Sequence, residues 1–323
     1  MLRVGAIGCG EHATTTVWPL LAPAGLRCVA AWSRSRERAE DAAQRFAVPA
    51  AYTNLEQMLD EEQLDAVVVV VPPEGFGGVI LPAIERGLHV FAEKPGATSA
   101  SEADAIADAA DERGVVAMVG YMKRFGTAYA RAKELIAQDD FGPLTIASFK
   151  WSMGPMSDEH SSIDSWLFEN PIHHIDLARF FCGELEAWDV QRARNAGDEF
   201  ALAVSARAAS GAVVSMQLST TGSWEQHNEC VELQGLGSAV VVDNVDTCVS
   251  RPTAQPELRW RPNYTVPTPE NSSASTGGFL PELAAFAAAI ASGGPVESDF
   301  RSAARTLDAV HELSRSVARG ERG

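Results

Sequence analysis

Residues 2–13 read Leu2-Arg3-Val4-Gly5-Ala6-Ile7-Gly8-Cys9-Gly10-Glu11-His12-Ala13, and this stretch decides the fold. Leu2 to Ile7 has the composition of a short buried strand. It runs at once into a G-x-G-x-x-A turn. Gly8 permits the tight bend, Gly10 removes a Cβ so that backbone can approach a diphosphate, and Ala13 lets the next helix pack closely on the strand. The N-terminus of that helix offers partial positive charge to an anion. The plain alternative is a structural strand-to-helix connection, but the strand before the turn and the helix after it favour a dinucleotide site.

Outward from this turn, apolar strands and helical runs alternate through about residue 120. Leu26 to Trp32 reads as a strand, Arg36 to Phe46 as a helix, Ala66 to Val71 as a strand ended by Pro72-Pro73, and Val79 to Arg86 as a helix closed by Gly87. His89 to Ala92 follows as a strand, residues 100–113 as a helix stopped by Gly114, and Val115 to Gly120 as a further strand. Strands joined by crossover helices specify an α/β fold with a Rossmann-type, doubly wound parallel sheet.

The pattern changes after residue 120. Helices are expected at 125–138 and 171–181, a strand at 144–153, and short β segments near 188–195, 199–208, 212–219, 228–234 and 238–243. Short polar turns such as Ala209-Ser210-Gly211 imply a largely antiparallel, open sheet and therefore an α+β second domain. Residues 251–278, rich in Pro, Ser, Thr and Asn, read as a long irregular connection before closing helices at 282–291 and 302–317. The expected division is 1–120 for the dinucleotide-binding domain and 121–323 for the substrate-binding and oligomerisation domain. A sheet with one uncovered face must bury it elsewhere, so a homodimer or homotetramer through the C-terminal sheet is expected.

A formal net charge of -17 argues against nucleic acid or an anionic membrane as partner. No run approaches the roughly 20 apolar residues that span a bilayer, and Met1-Leu2-Arg3 enters the first strand without a signal-peptide pattern, so a cytoplasmic location is expected. The five cysteines are scattered and lack CxxC spacing, which reads as reduced core residues, with Cys9 in the glycine turn as the one that could be accessible. His160, Glu169, His173, His174 and Asp176 lie close in sequence but lack recognised ligand spacing, and no metal is expected.

An NAD-selective turn places a carboxylate about 20 residues after the glycines. Here strand two ends Ala31-Trp32-Ser33-Arg34-Ser35-Arg36, a hydroxyl beside guanidinium groups. Ser33 and Arg34 suit a 2'-phosphate, which favours NADP(H) over NAD(H). The bland alternative is that Ser33 or Ser35 caps the next helix and Arg34 is solvated.

With the glycine turn, Ser33-Arg34, the strand end Glu93-Lys94-Pro95 and the later His173-His174-Ile175-Asp176 in order, the chain resembles the Gfo/Idh/MocA oxidoreductase family. The likeness extends through Gly120-Tyr121-Met122-Lys123-Arg124-Phe125 to Gly278-Phe279 and Phe286. It implies use of NAD(P) to oxidise or reduce a hydroxyl or carbonyl on a sugar, cyclitol or related polyol. The cofactor contacts it implies fall on Gly8, Gly10, Ala13, Ser33, Arg34, Pro72, Glu93 and Lys94. The family's EKP lysine corresponds to Lys94 and its catalytic histidine to His173. The family's aspartate four residues before that histidine is replaced here by Glu169, and the histidine that many relatives carry near Phe76 is absent from Pro72-Pro73-Glu74-Gly75-Phe76.

The chemistry implied is coherent. Hydride loss from an alcohol carbon needs the hydroxyl proton removed, and the reverse needs a proton delivered to a developing alkoxide, so an acid/base and a cationic donor serve both directions. Pro95 restricts the backbone at Lys94. Asn170-Pro171 reads as a helix start, with His173 and His174 in the first turn, where the helix dipole disfavours added positive charge on an imidazole. The ordinary reading has both histidines as packing residues and Asp176 paired with Arg179. Candidate substrate contacts are Lys123, Arg124, Trp151, Trp166, Asn170 and His174, since indole faces suit sugar C–H faces and cations suit hydroxyls or a phosphate, although each residue type alone is more often core or surface. The competing reading is a catalytically silent NADP(H)-binding sensor or partner-binding module.

Overall fold

The structure is a computed structural model and describes residues 1–155, 162–193, 196–197, 199–225, 228–266, 268 and 271–320; His160 lies outside the described residues. Two compact units divide the chain: Met1–Met122 with Phe279–Leu307, and Lys123–Gly278 with the chain from Asp308 onward.

In the first unit the strands β1 (Leu2–Ile7), β2 (Leu26–Trp32), β3 (Ala50–Tyr52), β4 (Ala66–Val69), β5 (His89–Glu93) and β6 (Ala117–Gly120) pair in parallel in the order β3-β2-β1-β4-β5-β6. Helices α1 (Trp18–Leu21), α2 (Arg36–Phe46), α3 (Leu55–Glu61), α4 (Phe76–Glu85) and α5 (Ala100–Arg113) connect them. Val4, Ala6, Ile7, Ala66 to Val69 and Val90 to Ala92 are fully buried, as strands covered on both faces must be. This is why these strands read as unbroken apolar runs.

Side chains set the helix starts. Ser35, Asn54 and Ser99 accept hydrogen bonds from the backbone N–H of Arg38, Gln57 and Glu102. The helix that opens after Gly10 widens to a π turn over Ala13–Val17, and the Trp18 N–H reaches the Ala13 carbonyl. The wider turn accommodates Pro19, which lacks an N–H and would crowd the Thr15 carbonyl in a regular α-helix. The sequence reading left β3 and α3 unassigned, because a three-residue edge strand is too short to show alternation.

The second unit begins with α6 (Thr127–Ile136), β7 (Ile146–Ser152), α7 (Ile163–Glu169) and α8 (Ile172–Cys182). It continues with β8 (Leu185–Arg192), β9 (Ala201–Ala208), β10 (Val213–Ser219), β11 (Asn228–Gln234), β12 (Ala239–Asp243), β13 (Thr247–Arg251) and β14 (Leu258–Trp260). These strands form an eight-stranded sheet in the order β14-β13-β12-β11-β7-β10-β9-β8, antiparallel except where β10 runs parallel to β7. One face is apolar: Leu202, Val204 and Ala206 of β9, Val214, Met216 and Leu218 of β10, and Val231 and Leu233 of β11 are buried. The alternate positions, including Lys150, Ser205, Arg207 and Gln217, are exposed. The strict period of two explains why β9 to β12 are readable from sequence. By contrast β14, and the short helix α9 (Ser273–Thr276), fall inside the stretch expected to be irregular, and α7 and β13 were not anticipated. β14 exists through its pairing with β13, Cys248 opposite Trp260, rather than through any local pattern.

The chain closes with α10 (Phe279–Ser292) and α11 (Phe300–Gly320). The expected single division at 120/121 needs correction here, because α10 belongs to the first unit. It packs on β5 and β6, and the Phe286 ring lies 5.8 Å from that of Phe91. Burial against strands almost 200 residues earlier leaves no local trace in the sequence. Among the described residues no helix is long and apolar enough to cross a membrane.

Gly8 closes β1 onto its neighbour. Its φ of +102° suits glycine alone, and a Cβ built there would stand 1.9 Å from the Val70 carbonyl oxygen. Gly8→Ala is expected to destabilise the protein by about 3 kcal/mol or more. Chemical denaturation followed by circular dichroism checks this, and a wild-type midpoint would contradict it.

Candidate active site

Within the first unit, the strand order reverses between β1 and β4, and a crevice opens beyond the C-terminal ends of the strands at such a reversal. The residues expected to hold a dinucleotide follow these strand ends in order: Ser33 and Arg34 after β2, Gly8 and Gly10 after β1, Pro72 after β4, and Glu93 with Lys94 at the end of β5. Neighbouring strands lie about 4.8 Å apart, so the row spans roughly 14 Å.

Each position has its own local cause. The direction in which Gly10 would carry a Cβ is open, with nothing within 4 Å, so backbone there is accessible to a ligand oxygen. Ala13 is fully buried beneath the turn. Ser33 is buried and its hydroxyl accepts the Ser35 N–H at 3.2 Å, while Ser35 itself caps α2. Arg34 is exposed and Pro72 is exposed. Cys9 is buried and donates to the Trp32 carbonyl, and burial pushes its thiol up to about 11, which makes it a poor nucleophile. Glu93 is buried; its Oε2 accepts the Lys94 backbone N–H at 3.1 Å. Lys94 is half-buried and joined to Pro95 by a cis peptide.

In the second unit, α7 ends at Glu169 and α8 begins at Ile172, so Glu169 and Asn170 lie in the joint between two helices. Pro171 precedes the first helical residue, one position earlier in the helix than expected, and the Asn170 carbonyl accepts the His173 N–H at 3.3 Å. His173, Asn170 and Glu169 are all half-buried and adjacent in this joint.

The remaining candidates of this unit turn inward. The Lys123 ammonium bonds Glu229 of β11, and the Tyr129 hydroxyl donates to the other Glu229 oxygen at 2.6 Å. Burial alone would raise the Glu229 carboxyl, but the Lys123 charge and the hydrogen bonds from Lys123 and Tyr129 outweigh it and hold the group down at about 2. His174 is fully buried, 3.9 Å from Glu229 and with its ring 5.9 Å from Trp151. Burial, then the Lys123 charge, push its pKa down to about 3, so it is a neutral imidazole at ordinary pH.

Arg124 grips Asp176 with two hydrogen bonds, Nε to Oδ2 at 2.7 Å and Nη2 to Oδ1 at 2.5 Å, both partners buried. Arg179, one turn further along α8, bonds Glu184. Trp151 and Trp166 are buried, with centroids 6.3 Å apart, and Trp166 stacks on Phe200 at 5.3 Å. Lys123, Arg124, His174, Trp151 and Trp166 are thus buried in this unit, with Lys123 paired to Glu229 and Arg124 to Asp176. Among the described residues, no group of three or more His, Cys, Asp and Glu side chains converges as a metal site would.

A family model described as an oxidoreductase family with an NAD-binding Rossmann fold matches residues 2–121. The first unit therefore carries the NAD-binding Rossmann domain of the Gfo/Idh/MocA family. The chain is an NAD(P)-dependent oxidoreductase. It is similar to D-xylose 1-dehydrogenase (NADP(+)) 2 of Haloferax volcanii, 27% identical over 98% of each chain. The scyllo-inositol 2-dehydrogenase (NAD(+)) of Bacillus subtilis is 31% identical over 56% of this chain and 54% of its own. Of solved structures, a dehydrogenase from Chromobacterium violaceum superimposes with a TM-score of 0.87 at 26% identity, over 100% of this chain and 97% of the other.

The residues of this Rossmann domain fit a dinucleotide. The positive φ of Gly8, the open space before Gly10 and the helix N-terminus behind it form an anion cradle that a side chain at either glycine would disturb. Two residues escaped the sequence reading although a signal existed for each. Glu229 occupies an inward position of β11, in phase with Val231 and Leu233, and Glu282 occupies an inward position of α10, in phase with Phe286 and Ala289. A carboxylate on an apolar face is the recognisable sign.

Asp176→Asn leaves the Arg124 guanidinium buried against a neutral partner, which is expected to destabilise by about 3–5 kcal/mol. Denaturant unfolding monitored by tryptophan fluorescence reads this directly. A loss below about 1 kcal/mol, the range of exposed pairs, would show that the pair does not brace the helix.

Proposed function

We propose that this protein transfers a hydride between NADP(H) and a secondary alcohol or ketone of a sugar, cyclitol or related polyol. The observation that carries the reading is the row of strand ends in the first unit, in which the glycine cradle is flanked on one side by Ser33-Arg34 and on the other by Lys94. The full-length likeness to a xylose dehydrogenase that uses NADP(+) supports both the substrate class and the cofactor. The likeness to an inositol dehydrogenase that uses NAD(+) supports the substrate class alone.

When bound, the nicotinamide supplies or accepts the hydride. His173 removes the proton of the substrate hydroxyl in oxidation and returns it in reduction, while the Lys94 ammonium donates a hydrogen bond to the same oxygen as it gains negative charge. Glu169, at the end of α7, takes the place of the family's aspartate in orienting His173, and Asn170 contacts substrate from the same joint. Arg34 meets the 2'-phosphate from its exposed position after β2. The uncovered face of the second sheet, where Ile146 and Val213 are exposed side by side, is the contact of a homodimer or homotetramer. Light scattering of the purified protein is expected to give a dimer or tetramer mass; a monomer would refute the contact.

Fluorescence titration with NADPH and NADH tests the cofactor, and turnover with pentoses, cyclitols and their keto forms tests the substrate. NADPH is expected to bind at least about tenfold more tightly. Lys94→Ala is expected to lower turnover by about 100-fold or more with cofactor affinity nearly unchanged. Unchanged turnover would remove Lys94 from the chemistry, and tighter NADH binding would reverse the choice of cofactor.

A further inference from the structure

His12 joins two of the strand ends just described, and neither the turn motif nor the proposed chemistry gives it a task. It lies inside the glycine turn, half-exposed, and its Nε2 stands 3.2 Å from Glu93 Oε1. Its ring meets Phe279, the first residue of α10, edge-on at 6.3 Å. The other oxygen of Glu93 accepts the Lys94 backbone N–H at 3.1 Å. One buried carboxylate therefore ties the lysine backbone to the side chain of the turn that cradles the diphosphate.

The charge around this link is unusually constrained. Glu282, 1% exposed, enters the same region from α10, and its Oε2 is buried without a hydrogen-bond partner. That oxygen lies 3.5 Å from where a Cβ on Gly120 would sit, at the end of β6. Burial, then the Glu93 charge, raise the Glu282 carboxyl well above the usual range. The titratable and charged groups about His12 are Glu93, Glu282 within reach of the Glu93 charge, Lys94 next to Glu93 in the chain and Glu11 in the helix turn of His12 itself. An anionic diphosphate arriving at the cradle adds negative charge beside His12, which lies inside the glycine turn.

We propose that His12 is a dinucleotide-site residue that takes up a proton as the diphosphate binds, and that in its charged form it locks Glu93, and with it the Lys94 backbone, to the glycine turn. Imidazole is suited to this because its charge changes near neutral pH. Neither Lys nor Arg could bind and release the proton in that range. The inference rests on the dinucleotide-binding reading and adds a cofactor-linked proton to it.

Calorimetric titration of the full chain with NADPH at pH 7.5, in two buffers of different ionisation enthalpy, reads the protons taken up on binding. The titration of the cofactor's own 2'-phosphate is common to all variants and cancels in their difference. Wild type is expected to take up about half a proton or more beyond His12→Asn, and the variant to bind about fivefold more weakly. His12→Lys, always charged, is expected to restore affinity without the uptake, which a merely structural role for the ring would not produce. Equal uptake by wild type and His12→Asn would overturn the proposal and leave dinucleotide binding intact. Absence of binding by both NADPH and NADH would overturn the proposal together with the functional reading.

Discussion

The contact between Gly8 and the Val70 carbonyl is the constraint on which the nucleotide unit depends. Where strand order reverses, the chain leaving β1 must turn away sharply, and the turn is possible only if the residue there has a positive φ and no Cβ. Once that bend is made, the helix after Gly10 points its N-terminus over the strand ends, and every candidate cofactor residue comes to lie along one edge of the sheet. The π turn at Ala13–Val17 belongs to the same construction, since it carries the chain past Pro19 without breaking the helix.

The second unit solves a different problem, the placement of charge inside an apolar layer. Glu229 sits on the buried face of β11 and Asp176 on the buried face of α8, where isolated carboxylates would be too costly to desolvate. Each is matched by a cation from the segment Met122–Phe125, Lys123 to Glu229 and Arg124 to Asp176. Two consecutive residues therefore pin β11 and α8 to one short turn. Such pairs contribute little net stability against an apolar replacement, but once built they penalise any other arrangement of the three elements. The half-buried joint that carries Glu169, Asn170 and His173 inherits its position from this bracing.

Much of this is legible in the sequence. The glycine turn, the parallel strands and the alternation in β9 to β12 are local patterns with direct physical causes, and the end of helix α5 is marked in the sequence by Gly114. The EKP strand end and the His173 turn were legible as candidates. What escaped was short or distant: β3, β14 and α9 have too few residues to show a period, and α10 joins the first unit through contacts that are remote in sequence. The charged and aromatic candidates Lys123, Arg124, His174, Trp151 and Trp166 were read as residues that could face a substrate. Composition cannot tell an exposed cation from one facing a buried carboxylate.

The sequence by itself determined the fold class and the position of the glycine turn, because each depends on neighbours within a few residues. Tertiary structure alone decided which charges are spent on internal pairs, which half-buried residues are left around His173, and that His12, Glu93 and Glu282 meet. Those outcomes depend on desolvation and on distances between residues far apart in the chain, and neither quantity is written in local order.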